Sequence, residues 1–310
     1  MKKEEATREA FGRAILQLAE KFPEIVTLDA DLSGSLKTKA FAEKFPSRAF
    51  NVGISEQDLI GTAAGLAIAG KRPFACSFAI FVTGRGWEQI RNTVCTSSLP
   101  VTIVGSHAGI LTGEDGETHQ ALEDVAILRS IENIKIFSPS DGVETFAMVK
   151  HILEKEKGPC YLRLGRKKLP YVFTEKEDFS FPKIKTLIKG EKITIFATGP
   201  LVNIGIQVAK KLKKENIKPS LINVSCLKPI DEKGIIKELK KTKFCVTLED
   251  HSITGGLGSI IAEIIAENNI SSKLKRIGMK SFGESGTPSD LYLKFGLDSE
   301  SIFQKIKAEF

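Results

Sequence analysis

Cysteine is scarce in this 310-residue sequence, and no two cysteines have the spacing of metal ligands. Scattered thiols, odd in number, argue against a disulfide framework and are typical of reduced, buried cysteines in a cytoplasmic protein. Apolar runs long enough to cross a membrane are absent, and the charged N-terminal segment has no signal-peptide core behind it. The five cysteines are Cys76, Cys95, Cys160, Cys226 and Cys245. The sequence therefore predicts a soluble cytoplasmic protein.

Nucleotide-binding and nucleic-acid-binding motifs are also missing. No G-x-x-x-x-G-K run is present, and the glycine-rich segment 251–259 lacks the G-x-G-x-x-G order of a dinucleotide fingerprint. The net charge is +7, but the lysine-rich runs 210–218 and 237–243 mix acids with bases, as solvated helix faces do. Because no aromatic side chains are interleaved with these charges, we expect no nucleic-acid partner.

What is present favours a two-domain α/β protein. The hydrophobic content is 42%, and the length of 310 residues favours two domains over one. Helical patterns alternate with short apolar strands, which predicts α/β layers. Residues 1–172 are predicted to form the first domain and residues 191–310 a smaller second one. Residues 173–190 combine proline, mixed charge and isolated aromatics, and are predicted to be a linker.

One acid, Glu56, lies at a predicted strand-to-helix turn. An apolar run at 49–52 meets Gly53, after which Ser55 is predicted to cap a helix that ends at Gly70. Turns at the carboxyl ends of strands are where open α/β sheets bind ligands. Taken alone, Glu56 is more simply interpreted as an acid that interacts with the helix dipole.

A glycine-rich loop after the predicted strand 101–105 carries further polar candidates. It contains His107, Asp115 and His119, and Thr118 is predicted to open a helix that runs through residue 129. Histidine is the side chain best suited to proton transfer near neutral pH. Two of the four histidines in one loop favour a functional interpretation over a structural one.

Two further features remain open on sequence alone. Phe78 and Phe81 are three residues apart between a predicted strand, 72–78, and a predicted helix, 86–96. They could be core residues or could clamp a flat heterocycle by stacking. Arg166 follows another predicted strand and could bind a phosphate with two hydrogen bonds or belong to a solvated basic turn.

Four segments together carry a family resemblance. They are FNVGISEQD at 50–58, GEDGETHQ at 113–120, LEDHSITGGLGS at 248–259 and FGESGTPSDLYLKFGL at 282–297. In this order and spacing the chain resembles the second half of transketolase, a thiamine-diphosphate enzyme of carbohydrate metabolism. The resemblance implies a pyrimidine-binding domain of the thiamine-diphosphate fold over 1–172, followed by a transketolase C-terminal-like α/β domain.

The resemblance also implies roles for individual residues. Glu56 is expected to hydrogen-bond N1′ of the aminopyrimidine, which favours the tautomer whose 4′-nitrogen takes the proton from thiazolium C2. Phe78 and Phe81 are expected to pack against the aminopyrimidine. Asp31 and Leu32 match residues that contact the cofactor across a subunit boundary.

A substrate site is implied as well. His107 and His119 resemble the family's histidines for sugar binding and proton transfer, and Asp115 resembles an acid that binds a substrate hydroxyl. The positions expected to bind the sugar phosphate are Arg8, Ser35 and Arg166.

Two departures from the family pattern stand out. The family has a tyrosine near Gly84 that this sequence lacks. More important, the sequence has no GDG followed about thirty residues later by Asn, the family's magnesium–diphosphate motif; the Asp115–Gly116 pair lies in the substrate loop. Magnesium takes oxygen ligands in octahedral geometry. We therefore expect no metal ligands here, and an N-terminal transketolase subunit that supplies the diphosphate and Mg²⁺ half of the site.

The assembly implied is a heteromer, a homodimer of this chain within a heterotetramer with that partner, acting on sugar phosphates in the pentose phosphate pathway. Three alternatives remain open. A 1-deoxyxylulose-5-phosphate synthase-like protein shares the T-H-Q element but commonly has arginine in place of His107. A 2-oxo acid dehydrogenase β-like subunit shares the C-terminal domain. A non-catalytic module could keep the fold without the chemistry.

Overall fold

Short strands that are buried on both faces form the centre of the fold. The computed structural model describes residues 3–310. Strands such as IVTLD at 25–29 and TIVGS at 102–106 are buried at every position, as expected for parallel strands covered by helices on both sides. The strands are β1 (Glu4–Ala6), β2 (Ile25–Asp29), β3 (Ala49–Asn51), β4 (Arg72–Phe78), β5 (Thr102–Ser106), β6 (Lys135–Phe137), β7 (Cys160–Arg163), β8 (Lys168–Pro170), β9 (Lys185–Ile188), β10 (Ile193–Ala197), β11 (Pro219–Asn223), β12 (Cys226–Lys228), β13 (Phe244–Ser252) and β14 (Lys273–Met279).

The helices fill the connections between these strands. They are α1 (Thr7–Leu18), α2 (Ser33–Leu36), α3 (Lys39–Lys44), α4 (Glu56–Ile68), α5 (Ala79–Arg85), α6 (Trp87–Gln89), α7 (Asp124–Arg129), α8 (Gly142–Lys155), α9 (Leu201–Lys214), α10 (Glu232–Leu239), α11 (Leu257–Glu267), α12 (Pro288–Phe295) and α13 (Ser299–Lys307). Two 3₁₀ turns, Pro46–Arg48 and Ile110–Asp115, and a π-helical turn, Ile90–Cys95, complete the regular structure of residues 3–310.

Two large, mainly parallel sheets covered by helices result, so the predicted α/β fold class is confirmed; a third, two-stranded sheet pairs β1 with β8 antiparallel. Within residues 3–310 the first sheet has seven strands in the order β12-β6-β7-β5-β4-β2-β3, and the second has five in the order β14-β13-β10-β11-β9. All pairs in the first sheet are parallel except that of β12 with β6, and all in the second except that of β11 with β9.

One apolar core spans both sheets. It joins Val125 and Leu128 of α7 to Leu257, Ile260 and Ile261 of α11. Because relative motion between domains is the default unless their interface is large and apolar, this shared core indicates that the two halves are held in a fixed arrangement. No helix in residues 3–310 is both long and apolar enough to span a bilayer.

Several sequence-based boundaries were wrong. The helix predicted from Thr118 begins at Asp124, because Ala121 instead accepts a backbone hydrogen bond from Gly109. The helical region predicted over 86–96 begins earlier, because α5 starts directly after β4. Within 86–96 only α6 is α-helical, and the chain continues from it as a π-helical turn. Ser55 does occupy the N-cap of α4, but its side chain makes no capping hydrogen bond.

Two short strands, β9 and β12, lie in and beyond the predicted linker. β9 lies within 173–190 and adds antiparallel to β11 as an edge strand of the second sheet. β12 comes from the second half of the chain, yet it pairs with β6 of the first sheet. Both strands are short and neither alternates clearly, so periodicity alone could not have identified them.

A buried carboxyl group, Glu144, joins the two halves near this crossing. It is 1% exposed at the start of α8. Its Oε2 accepts hydrogen bonds from the Ser140 N–H and Oγ, each at 2.8 Å, and its Oε1 accepts from Asn223 Nδ2 at 2.8 Å. Burial raises the pKa of Glu144 from 4.5 to about 7.

We expect the titration of Glu144 to contribute to the pH dependence of the unfolding free energy. A carboxyl pKa raised in the folded state contributes stability that is present below pH 4.5 and is lost as pH rises through about 7. A shift of this size corresponds to about 3 kcal/mol. Glu144→Gln, neutral at every pH, should therefore reduce the fall in unfolding free energy between pH 5 and pH 8, measured by urea denaturation. The exposed Glu267→Gln is the control, and equal pH dependence in the two variants would contradict this assignment.

Candidate active site

The candidate residues meet at one edge of the first sheet. The strands β2, β3, β4, β5 and β7 are parallel, so their carboxyl ends lie along the same edge. The ends of these strands and the segments that follow them contain, in chain order, Asp31 to Ser35, Glu56, Phe78 with Phe81, His107 and Arg166. Arg8, at the start of α1, reaches the same edge, since its N–H donates to the carbonyl of Gly165.

Glu56 is the buried acid of this edge. It begins α4 after Gly53, whose φ of +73° makes a tight turn that a side chain would strain. The residue is 2% exposed. Ser77 Oγ donates to Glu56 Oε1 and Arg85 Nη1 donates to Oε2, both at 3.0 Å. Both carboxylate oxygens are therefore held in fixed directions.

An aromatic wall stands beside this acid. The rings of Phe78 and Phe81 are stacked, with centroids 5.9 Å apart and planes 20° from parallel. His119 meets Phe81 edge-on at 5.2 Å, and His107 lies 3.9 Å from Phe78. The structure thus brings together both phenylalanines and both histidines that the sequence singled out.

His107 is held in a strained backbone conformation, with φ +57°, and is 2% exposed. Arg8 Nη1 lies 3.0 Å from His107 Nε2, and Ser106 Oγ lies 3.0 Å from Nδ1. Because a guanidinium can only donate, Nε2 accepts and Nδ1 carries the proton. Burial, with the charges of Arg8 and Arg166, lowers the pKa of His107 to about 3, so the imidazole is neutral at pH 7.

The basic residues of the edge form a second cluster. Arg8 Nη1 also donates to the Ser35 carbonyl at 3.0 Å, and Arg8 Nε has no hydrogen-bond partner within residues 3–310. Arg166 Nη1 donates to the Thr112 carbonyl at 2.9 Å and to Asp115 Oδ1 at 3.1 Å. Asp115 and Arg166, for which separate roles were predicted, are thus an ion pair.

Asp31 and Leu32 lie in the loop after β2. The Leu32 N–H donates to Asp29 Oδ1 at 3.0 Å, while the Asn51 side chain bonds both the N–H and the carboxylate of Asp31. The same Asn51 oxygen accepts from the Gly53 N–H at 2.9 Å. This links the loop to the Glu56 turn, and Asp31 is exposed.

The second domain holds the loop that carries Asp115. Asp250 Oδ1 accepts from the Ile110 N–H at 3.0 Å. Gln120 Nε2 donates to the Glu284 carbonyl at 2.8 Å, and Ser285 Oγ donates to the Glu114 carbonyl at 2.7 Å. These bonds fix both ends of the loop, so its conformation depends on the C-terminal domain.

The chemistry of this donor set fits part of a thiamine site. A buried carboxylate beside an aromatic face suits a flat, nitrogen-containing ring that both stacks and hydrogen-bonds. Within residues 3–310 no group of three or more His, Cys, Asp or Glu side chains is placed to hold a metal ion.

Comparison with known proteins bears on these features. The family model "Transketolase, pyrimidine binding domain" matches residues 3–172, and "Transketolase, C-terminal domain" matches residues 183–302. The chain belongs to the transketolase family. The resemblance of the four sequence segments to the second half of transketolase is thereby confirmed.

Three relatives illustrate the range of the family. A transketolase C-terminal section from Methanocaldococcus jannaschii is 45% identical over 305 residues, 97% of this chain and 95% of that protein. A 1-deoxy-D-xylulose-5-phosphate synthase from Caldanaerobacter subterraneus is 37% identical over 300 residues, 96% of this chain but 48% of that protein. A split-gene transketolase, solved as an inactive β4 tetramer, superposes with a TM-score of 0.88 at 40% identity, covering 98% of this chain and 97% of that one.

Three residues that support this edge, Ser77, Arg85 and Asp250, were not predicted from the sequence. Arg85 had a usable signal, since it is four residues after Phe81, a spacing that brings side chains together on a helix. Asp250 had none, because its contact with the Ile110 N–H joins residues 140 positions apart.

Loss of the Asp250 carboxylate should loosen the substrate loop. In Asp250→Ala, amide hydrogen exchange at 109–116 should accelerate about fivefold, since one hydrogen bond contributes about 1 kcal/mol. Amides of β10 should keep their protection if the effect is local. Asp178→Ala, at an exposed position, is the matched control. Unchanged exchange at 109–116 in Asp250→Ala would show that the loop keeps its conformation without the Asp250 carboxylate.

Proposed function

We propose that this chain is the C-terminal subunit of a two-chain transketolase, which transfers a two-carbon ketol unit from a ketose phosphate to an aldose phosphate. The observation that carries the proposal is the meeting of a buried carboxylate, a stacked aromatic pair and two histidines at one sheet edge. A non-catalytic module would have no need of this combination.

Each side chain has a task that suits its surroundings. Glu56 would hold a proton at N1′ of the aminopyrimidine, while Phe81 and Phe78 orient that ring and keep water from it. Bound thiamine diphosphate supplies the nucleophilic carbon and the electron sink for the ketol unit. His119, half-buried at the edge of the Phe81 ring, would exchange protons with the sugar oxygens.

The contact between Arg8 and His107 suggests how the substrate phosphate is used. Both nitrogens of His107 are engaged, one by Arg8. A phosphate that draws Arg8 toward Ser35 and Arg166 would free His107 Nε2 to bind a sugar oxygen. Asp115 would then exchange its bond with Arg166 for a substrate hydroxyl. In this way only a phosphorylated sugar would unmask the histidine.

The remaining half of the site would come from another polypeptide. We propose that an N-terminal subunit holds the diphosphate and Mg²⁺ and that Asp31 and Leu32 contact the cofactor of a neighbouring subunit. Phe50 and Ile54, 39% and 77% exposed beside the Glu56 turn, are apolar side chains suited to such an interface. The proposal includes a homodimer within a heterotetramer, a cytoplasmic location, and the division into domains at 1–172 and 191–310 joined by 173–190.

A second candidate activity, that of 1-deoxyxylulose-5-phosphate synthase, is favoured by the 37% identity to such an enzyme. His107 argues against it, because that family commonly has arginine at this position. A 2-oxo acid dehydrogenase β-like role would leave Arg8, Asp115 and Arg166 without a purpose.

Reconstitution tests the transketolase proposal. This chain, mixed with a partner chain carrying the GDG motif, thiamine diphosphate and Mg²⁺, should transfer a ketol unit from xylulose 5-phosphate to ribose 5-phosphate in a coupled assay. Glu56→Gln should lower kcat by about 10²- to 10⁴-fold, the usual contribution of a positioned acid or base. Asp58→Asn, exposed on the same helix, should retain the rate. No activity with both chains folded, or full activity in Glu56→Gln, would sink the proposal.

The choice of donor separates the two candidate activities. With pyruvate and glyceraldehyde 3-phosphate the assembled enzyme should release no carbon dioxide, whereas with xylulose 5-phosphate it should release glyceraldehyde 3-phosphate. Release of carbon dioxide at a rate comparable to ketol transfer would favour the synthase. The experiment needs only ¹⁴C-carboxyl-labelled pyruvate and a trap for the gas.

A further inference from the structure

Arg85 makes two contacts that together resemble those of a bound heterocycle. It is the last residue of α5, and its guanidinium carbon lies 4.4 Å from the centroid of the Phe81 ring. Its Nη1 donates to Glu56 Oε2 at 3.0 Å. A guanidinium is flat and rich in N–H donors, and it stacks well on aromatic faces. It therefore satisfies the acid and covers the ring at the same time.

These are the same two interactions that the aminopyrimidine is expected to make. The ring would stack on Phe81, and its N1′ would hydrogen-bond to Glu56. Glu56 Oε1 is already bonded to Ser77 Oγ, which leaves Oε2 as the oxygen that a ligand would take. Two flat groups cannot stack on the same aromatic face together, so the guanidinium and the aminopyrimidine compete for this position beside Glu56 Oε2.

We infer that Arg85 is a built-in stand-in for the aminopyrimidine, which thiamine diphosphate must displace from Glu56 and Phe81 in order to bind. The inference rests on the proposed function and concerns the regulation of that same site. It assigns Arg85 a role in cofactor loading, distinct from the chemistry of ketol transfer.

The surroundings of Arg85 allow such a displacement. Its side chain is 53% exposed, whereas that of Glu56 is 1% exposed. A long, flexible side chain at a helix end can turn into solvent without disturbing the core. Glu56 cannot follow, because its side chain is buried at the start of α4 and its Oε1 accepts a hydrogen bond from Ser77 Oγ. The exchange therefore moves the cation outward and leaves the acid in place.

The stand-in has a clear physical purpose. A buried carboxylate without a charged partner is costly, and Arg85 offsets that cost until a ligand arrives. The consequence is a lower apparent affinity for the cofactor, because only the fraction of molecules with Arg85 swung out is competent to bind.

Calorimetric titration of thiamine diphosphate with Mg²⁺ into the assembled two-chain complex tests the inference. Arg85→Met keeps an unbranched side chain of similar helix propensity but removes the charge and the flat donor group. It should lower the Kd about five- to tenfold, as expected if roughly a tenth to a fifth of the unsubstituted molecules are competent. Arg85→Lys, which pairs with Glu56 but cannot stack as a plane, should fall between the two.

Arg91→Met is the matched control, because Arg91 is exposed just beyond α6 and contacts Asn92 rather than the site. Its Kd should equal that of the unsubstituted complex. Equal or weaker binding in Arg85→Met and Arg85→Lys, with the unsubstituted complex binding normally, would overturn the stand-in role and leave the proposed function intact. No binding by the unsubstituted complex, together with no ketol transfer, would remove both. Should either variant fold poorly, a crystal of the loaded complex decides: a guanidinium still on Phe81 refutes the inference.

Discussion

The buried ion pair between Arg163 and Asp124 is the interaction on which the geometry of the site depends. Arg163 ends β7, and its Nε donates to Asp124 Oδ2 at 2.8 Å. The same guanidinium donates to the backbone carbonyls of Ala121 and Asp250. It thus ties the first sheet, the substrate loop and the C-terminal domain at one point. Removing one partner of such a pair typically costs about 3–5 kcal/mol, because the other charge stays buried.

The charged side chains of the site are partly neutralised by one another. Glu56 and Asp115 face three cations, Arg8, Arg85 and Arg166, two of which are paired to them. Arg8 contacts the Ser35 carbonyl and His107 rather than a carboxylate, so its charge is left for the phosphate of the proposed substrates. In the proposed function, the cofactor replaces the contact between Arg85 and Glu56, and a substrate hydroxyl replaces the contact between Arg166 and Asp115.

The sequence was informative where chemistry depends on local order. On sequence alone the pair Phe78 and Phe81 remained open between a core role and a ligand contact. The turn around Glu56 could be recognised because a strand, a glycine and a helix follow one another within a few residues. The loop with His107 and His119 was found for the same reason.

The features of the site that could not be predicted depend on contacts between segments that are distant in the sequence. Thr118 does not begin a helix, because Gln120 and Ala121 bond instead to the second domain and to Gly109. The neutral state of His107 follows from its burial and from the charge of Arg8, 99 positions away. Such pairings carry no periodicity, so no window along the sequence could have revealed them.

Because β12 pairs with β6 of the first sheet, the two halves of the chain are difficult to separate by truncation. β12 covers the outer edge of β6, whose hydrogen-bonding groups would otherwise face solvent or another chain. A fragment cut after the first domain would keep every residue proposed for catalysis. It would nevertheless expose the unpaired edge of β6, which could pair with another chain. Chimaeras between relatives should therefore exchange both halves as a single block.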